Sequence, residues 1–254
     1  MSESLMHTFA DHFSALAPAY AAARPTYPPE LFEWLGGLAP RRHLAWDCAA
    51  GNGQATLPLA AVFDEVIGTD ASAAQLAQAT PHPRVRYRAA VAHASGLAPA
   101  SVDLVTVAQA LHWLDLPAFF LEARRVLVSR GVLAVWCYGL PLTGEARVDD
   151  ALDRFYHETV GPYWCPERRL VESGYRTLPF PFAELEPPAF EMAHDWTLRQ
   201  LLAYVATWSA TARFLASERY DPVAPLAAEL RAAWDDDRVR RVRWPLSVRV
   251  GRVA

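Results

Sequence analysis

Cysteine is scarce in this sequence, with only Cys48, Cys137 and Cys165 among 254 residues. The number is odd, the spacings are wide and no C-x-x-C occurs. That argues against a disulfide framework or a zinc site and points to a reduced, cytoplasmic setting. Long apolar runs are also missing. No stretch of about 18 residues escapes a charge, so no membrane span is expected. The opening MSESLMHTFADHFSAL has no basic segment ahead of a long apolar one, so no signal peptide is expected. Net charge is small, at −4. A protein that holds nucleic acid by neutralising backbone phosphates over a broad surface needs far more positive charge. Internal repeats and low-complexity tracts are absent. What remains is an ordinary globular composition, 52% hydrophobic and 20% charged, on a chain long enough to bury a sizeable core.

The leader, residues 4–17, places Leu5, Phe9, Phe13 and Leu16 at helical spacing. RPTYPP, residues 24–29, breaks that helix, and a short one restarts over Glu30–Leu35. Strand and helix then alternate. RHLAWD, EVIGTD, RVRYRA, SVDLVTVAQA and VLAVWCY read as strands. QATLPLAAVF, SAAQLAQAT and LPAFFLEARRVLVS read as helices, the last closed by Gly131. Apolar strands alternating with helices predict a doubly wound α/β sheet, parallel and covered on both faces. Beyond Tyr138 the rhythm changes. Residues 145–160, 197–215 and 222–234 read as helices and residues 189–196 as a strand. RVRRVRWPLSVRVGRV closes the chain as a strand with a solvated, arginine-studded face, in which Pro245 marks a bulge or an unpaired position.

The first strand runs into WDCAAGNGQAT, residues 46–56. A pyrophosphate-binding turn has the form G-x-G-x-x-G at a helix start. Here the string is Ala49-x-Gly51-x-Gly53-x-x-Thr56, with Asp47 ending the strand before it. That acid repels pyrophosphate and attracts an ammonium or a sulfonium. S-adenosylmethionine carries both and has no phosphate. Its glycines then serve close approach of backbone to ligand. Asp70 ends the next strand, 23 residues after Asp47. An acid there can accept both hydroxyls of a ribose.

With these motifs in hand, AWDCAAGNGQAT, VIGTDAS, SVDLVTVAQALHWLD and RRVLVSRGVLAVWCY resemble the successive motifs of class I S-adenosylmethionine-dependent methyltransferases. The likeness is to the type 11-like group and, within it, to the trans-aconitate methyltransferase-like branch. YAAARPTYP, residues 20–28, and QALHW, residues 109–113, strengthen the branch. The resemblance covers residues 13–140. It implies a Rossmann-like sheet of seven strands, mostly parallel with the last antiparallel, in a single domain. Residues 1–39 would form an N-terminal helical lid, 40–140 the cofactor core, and 141–254 the substrate-pocket helices and last two strands.

The same resemblance places Asp47, Ala49, Gly51 and Gly53 around the methionine part of the cofactor and Asp70, with Ala71 beside it, on the ribose. Gln109 and Ala110 would lie near the methionine moiety. Tyr20 and Arg24 would fold over the cofactor, with Arg24 reaching its carboxylate. Two departures stand out. Ala49 replaces the common first glycine. AAVAHASGL, residues 89–97, stands where many relatives carry an acid for the adenine amino group. Val91 and His93 flank Ala92 there, so Ala92 has only backbone groups to offer adenine and His93 is an ordinary surface histidine or a contact.

Methyl transfer from a sulfonium is an in-line displacement in which alignment supplies much of the rate. A base is needed for a hydroxyl acceptor and not for a carboxylate. His112 orients an acceptor, takes its proton, or braces its own turn. Trp113 lines the cofactor pocket or packs as core. Asp115 caps the following helix, with Pro117 in its first turn. In the second half, Tyr163, Trp164, Tyr175, Phe180, Phe182, Trp208 and Phe214 suit an apolar wall. Arg168, Arg169, Arg176 and Arg213 suit an anionic acceptor. The leading expectation is an S-adenosylmethionine-dependent methyltransferase acting on a small molecule, a carboxylic acid among the candidates. It would need no metal and work in the cytoplasm as a monomer or homodimer. The alternatives are a cofactor-binding sensor without turnover, a hydroxyl methyltransferase with His112 as base, and a macromolecular methyltransferase. A nicotinamide-dependent oxidoreductase is disfavoured by Asp47 and the missing third glycine.

Overall fold

The computed structural model describes residues 23–253 apart from Asp236. The expected leader helix and Tyr20 lie outside the described residues. β1 (Leu44–Cys48), β2 (Glu65–Asp70), β3 (Val85–Ala89), β4 (Val102–Ala108) and β5 (Leu127–Tyr138) pair in parallel in the order β3-β2-β1-β4-β5. β6 (Ala183–Leu185), β7 (Glu191–Trp196) and β8 (Arg240–Arg252) complete the sheet. The C-terminal half of β8 runs antiparallel between β5 and β6, and its N-terminal half pairs with β7. The helices are α1 (Pro29–Leu38), α2 (Thr56–Val62), α3 (Ala73–Leu76), α4 (Leu116–Val126), α5 (Ala146–Arg154), α6 (Arg168–Glu172), α7 (Leu198–Ala206), α8 (Ser209–Glu218) and α9 (Val223–Arg231). Among the described residues no helix is long and apolar enough to cross a membrane.

The period of two explains why both sheet faces are covered. Along β5, Val132, Ala134, Trp136 and Tyr138 enter one core, which they share with Phe32 and Leu59. Leu133, Val135 and Cys137 enter the other, with Trp46, Phe119 and Val105. Strand order reverses between β1 and β4, so the C-terminal ends of these strands part and leave a crevice, the usual ligand position in an open α/β sheet.

Several boundaries differ from the sequence expectation. The helix after Asp115 stops at Val126 rather than Gly131. Leu127 is already extended, at φ −68° and ψ 138°, because Arg125 and Val126 give their carbonyls to the amides of Ala100 and Ser101. Residues 197–215 form two helices. Trp208 adopts ψ 139°, and the Thr207 hydroxyl bonds back to the Tyr204 carbonyl at 2.6 Å, ending α7. The helix expected over 72–80 is confined to Ala73–Leu76. An eighth strand, β6, was absent from the expected seven. Its three residues carry too short a pattern to read.

The terminal arginines are not uniformly solvated. Arg249 lies over the Phe180 ring and donates to the carbonyls of Tyr175 and Leu178. Arg240 lies over Trp234, and Arg252 donates to the Leu38 carbonyl. Arg241 and Arg243 keep the expected exposure. Pro245 sits in register opposite Glu191 where β8 changes partners, and its carbonyl accepts from Gly139 at 3.0 Å. A residue without an N–H is tolerated there because the ladder is handed from one strand to another.

Candidate active site

The turn after β1 is built on left-handed residues: Ala49 at φ 57°, Gly51 at 56° and Gly53 at 90°. An alanine in that region costs about 1 kcal/mol against glycine. Its amides are largely spent within the protein. Ala50 donates to the Thr69 carbonyl, Gly51 to Asp70 Oδ2 at 2.9 Å and Gly53 to the Ala50 carbonyl. A phosphate cradle needs such amides free and convergent, so this turn does not suit phosphate. The two glycines serve different ends. A Cβ on Gly53 would overlap the Tyr87 hydroxyl, so this glycine admits the Tyr87 ring. A Cβ on Gly51 would meet only Gln75 Oε1, at 4.0 Å. Its open side is where a ligand can approach the backbone.

Asp47 lies beneath the turn, not at its mouth. It is 1% exposed, and its two oxygens accept from the hydroxyls of Thr56 at 2.6 Å and Thr106 at 2.8 Å. Burial pushes its pKa up to about 6, against the pull of those two hydrogen bonds. Asp70, half-buried, accepts from Gly51 and, through Oδ1, from the Ser72 amide at 2.8 Å. Burial raises its pKa too. Among the described residues no arginine or histidine lies within ion-pair distance of either carboxylate. A buried and a half-buried acid without a cation call for a positively charged ligand. The sulfonium and ammonium of S-adenosylmethionine meet that requirement, so the residues present fit the group.

Ala71 is exposed beyond Asp70. On the expected adenine side, Ala92 is half-buried and His93 exposed. That loop hangs from Glu122 of α4. The Glu122 carboxylate accepts from the Ser95 amide and hydroxyl and pairs with Arg125 at 2.7 Å. The Arg125 hydrogen bond, outweighing burial, draws its pKa down to about 2. A carboxyl depressed in the fold stabilises above its unfolded pKa and loses that contribution as pH falls through about 2. Glu122→Gln is therefore expected to cost about 2 kcal/mol at pH 7 in urea melts, discounted for the part-exposed Arg125. The deficit shrinks toward acid pH. Equal midpoints at pH 7 would remove Glu122 as the anchor of the loop.

At the end of β4, Gln109 is strained at φ 56°. Its Oε1 accepts from the Tyr138 amide at 2.8 Å and its Nε2 donates to the Tyr138 carbonyl at 3.4 Å, stitching β4 to β5. Strain of this kind persists where surrounding structure over-determines it, often at functional sites. Ala110 follows, half-buried, and a 3₁₀ turn over Leu111–Trp113 turns His112 inward. His112 is 9% exposed, and its Nδ1 lies 2.9 Å from the Tyr175 hydroxyl. Burial first, and the nearby Arg168 charge second, lower its pKa to about 3. Asp115 caps α4 by accepting from the Ala118 amide at 3.3 Å, with Pro117 in the first turn as expected.

Beyond Gln109 a narrow cavity opens between Trp113, Trp164, Trp208 and Tyr204, with Arg24 and Arg168 also in its wall. Arg24 donates to the Tyr138 hydroxyl and to the Thr207 carbonyl, both at 3.1 Å, and lies over the Tyr204 ring. The sequence offered four arginines for this wall, and only Arg168 of them reaches it. Arg169 and Arg176 are exposed, and Arg213 donates to the Tyr163 carbonyl. Of the expected aromatics, Trp164 and Trp208 line the cavity and Tyr175 lies beneath His112. Phe180 and Phe182 pack on Phe120, and Tyr163 packs on Phe214. Tyr204 and Cys165 also line the cavity, although the helix and loop that carry them give no local sign in the sequence of facing one. A larger hollow of about 410 Å³ beside Phe190 and Pro245 lies on β7 and β8.

Comparison with known proteins agrees with this geometry. A family model described as a methyltransferase domain matches residues 46–135. A protein of Dictyostelium discoideum with a provisional methyltransferase name is 34% identical over 229 residues, covering 89% of this chain and 87% of that protein. An uncharacterized methyltransferase of Mycobacterium tuberculosis is 33% identical over 199 residues, covering 78% and 76%. A solved structure from Anaeromyxobacter dehalogenans, provisionally described as a type II methyltransferase, superposes with TM-score 0.84 at 48% identity, covering 90% of this chain and 97% of that one. The chain belongs to the class I S-adenosylmethionine-dependent methyltransferases.

Proposed function

We propose that the chain methylates a small-molecule acceptor that carries a carboxylate, forming an ester by in-line displacement, as expected of the trans-aconitate methyltransferase-like branch. The observation that carries this reading is the cavity beside Gln109. Two guanidinium groups stand in its aromatic wall, and no carboxylate lines it among the described residues. A buried anion must be paired, and this wall supplies the pairing. A small acceptor, rather than a nucleic acid, fits the mild net charge of −4.

The cofactor supplies an electrophilic methyl group. In this reading Asp70 accepts the ribose hydroxyls. The open face of Gly51 admits the methionine moiety, the buried Asp47 favours its positive charges, and Arg24 with Gln109 closes the far end. Ala92 offers backbone groups to adenine. The protein then aligns the acceptor oxygen with the methyl group and excludes water, and no base is required.

A hydroxyl acceptor fits less well. His112 has its Nδ1 engaged by Tyr175 and is far too weakly basic, at a pKa of about 3, to take a phenol proton. Its part is to brace the turn that carries Trp113. His112→Ala is therefore expected to keep turnover within about tenfold of the parent, with a rate nearly flat from about pH 6.5 to 8.5, where carboxylates stay ionised. A hydroxyl acceptor instead predicts a loss of roughly 10²–10⁴ and a basic limb in the pH profile. A screen of organic acids against phenols and amines, read by release of S-adenosylhomocysteine, tests the class. Turnover confined to phenols or amines would overturn it. Tight cofactor binding with no turnover of any class would favour a sensor.

A further inference from the structure

The two arginines of the cavity are not equivalent. Arg24 commits both terminal nitrogens to the protein, one to Tyr138 and one to Thr207. Arg168 is held differently. Its Nε donates to the Tyr156 hydroxyl at 2.6 Å, and that hydroxyl donates onward to Glu172 Oε1 at 2.7 Å. Its guanidinium carbon lies 4.7 Å from the Trp164 ring centre and 5.3 Å from that of Tyr156. The plane is thus fixed from one edge and by two aromatic rings. Among the described residues no carboxylate lies within ion-pair distance of Arg168, and no hydrogen bond engages its terminal nitrogens. Those two nitrogens form the edge of the fork that matches a carboxylate.

We propose that Arg168 is the anion-recognising residue of the acceptor site, with Tyr156 and Glu172 as its positioning residues. The subsite takes a carboxylate attached to a flat, unsaturated or aromatic body. Trp113, Trp164 and Trp208 supply faces for such a body, and Arg168 supplies the only cavity guanidinium, among the described residues, whose terminal nitrogens carry no protein hydrogen bond.

Tyr156 owes its place to a π-helical turn, Phe155–Thr159, that extends α5. The wider turn sets the 2%-exposed Tyr156 ring under Arg168 and against Trp164, 5.0 Å between centres. Such turns recur at functional sites because they re-aim one side chain without ending the helix. Glu172 is exposed and acts only through the Tyr156 hydroxyl, so its effect is the smaller of the two.

This inference rests on the anionic-acceptor reading, and the experiment separates the two. Benzoate, cinnamate and fumarate, each paired with its neutral amide, are titrated into S-adenosylhomocysteine-saturated protein. Binding is followed by tryptophan fluorescence, and turnover of the acids by S-adenosylhomocysteine release. At least one acid is expected to bind saturably and its amide at least 30-fold more weakly. Arg168→Met is expected to weaken the acid about 100-fold or more and leave its amide within threefold. Tyr156→Phe is expected to weaken the acid about tenfold and Glu172→Gln about threefold. Each variant should bind S-adenosylhomocysteine within twofold of the parent. Wherever an acid is turned over, the loss should fall on KM more than on kcat. Acid binding unchanged in Arg168→Met overturns the assignment while the anionic reading stands. Amides bound as well as acids, or no acid bound at all, overturns both. A parallel loss of S-adenosylhomocysteine affinity in Arg168→Met moves Arg168 to the cofactor and overturns the assignment.

Discussion

Asp70→Ala is expected to weaken S-adenosylhomocysteine binding by about 1.5–3 kcal/mol, roughly 10–150-fold, in calorimetry near neutral pH. Two losses combine. The ribose hydroxyls lose the proposed acceptor, and the turn loses its tether, since Asp70 accepts from both the Gly51 and Ser72 amides. Asp70→Asn separates them in part, because its one carbonyl oxygen keeps a single tether. It should bind more tightly than the alanine variant and less tightly than the parent. Thermal melts of all three proteins verify that the comparison is made on folded chains. Unchanged affinity in a folded Asp70→Ala protein sinks the ribose assignment. Preference for NADH over S-adenosylhomocysteine in the parent would contradict the cofactor assignment as a whole.

The parallel half of the fold was legible because its central strands β1, β4 and β5 are largely buried on both faces and its strands are flanked by punctuation. EVIGTD and VLAVWCY are dense in β-branched and aromatic residues, and the helices between them begin at readable caps such as Asp115. Boundaries failed where backbone partners outside the segment decide them. Leu127 and Val128 belong equally well to a helix end or a strand start, and the carbonyls claimed by Ala100 and Ser101 settle the matter. The break at Thr207 gave no proline or glycine to read. It depends on a threonine hydroxyl bonding back to Tyr204 and on Arg24, 183 residues away, taking the Thr207 carbonyl.

The site was legible at the residues that carry a motif and opaque at those placed by packing. Asp47, Gly51 and Asp70 could be named from the turn and its spacing, but whether Asp47 faces ligand or lies beneath it depends on the hydroxyls of Thr56 and Thr106, one on the adjacent helix and one on the adjacent strand. Gly53 looked like a ligand glycine, and Tyr87 on β3 shows what it makes room for. Arg168 was one of four equal candidates. Nothing local distinguishes it from Arg169. The difference is one of facing, set by a tyrosine twelve residues earlier on a π-helical turn.

Asp47→Asn is expected to stabilise the fold at pH 8 by about 1–3 kcal/mol and at the same time to weaken S-adenosylmethionine binding. In the folded chain the Asp47 pKa stands at about 6, raised chiefly by burial from the ordinary 3.8. Between those two values the unfolded chain has released this proton and the folded chain has not. Stability therefore falls as pH rises from 3.8 to about 6, and the loss is then constant at higher pH. A neutral asparagine escapes that penalty, although its amide must satisfy the two threonine hydroxyls in place of the carboxylate. The stability gap between variant and parent should be largest at pH 7–8 and close toward pH 4. Ligand binding shows the same linkage in reverse. A sulfonium and an ammonium favour the ionised acid, so S-adenosylmethionine affinity in the parent should drop below pH 6, by at most tenfold per pH unit for one proton. S-adenosylhomocysteine, which lacks the sulfonium, should show a shallower slope, and Asp47→Asn no slope from this group. Urea melts and calorimetric titrations at pH 5, 6, 7 and 8 measure both quantities. Parallel stability curves for parent and variant across that range, with equal slopes for the two ligands, would show that Asp47 does not titrate near pH 6 and that its charge is not what the cofactor reads.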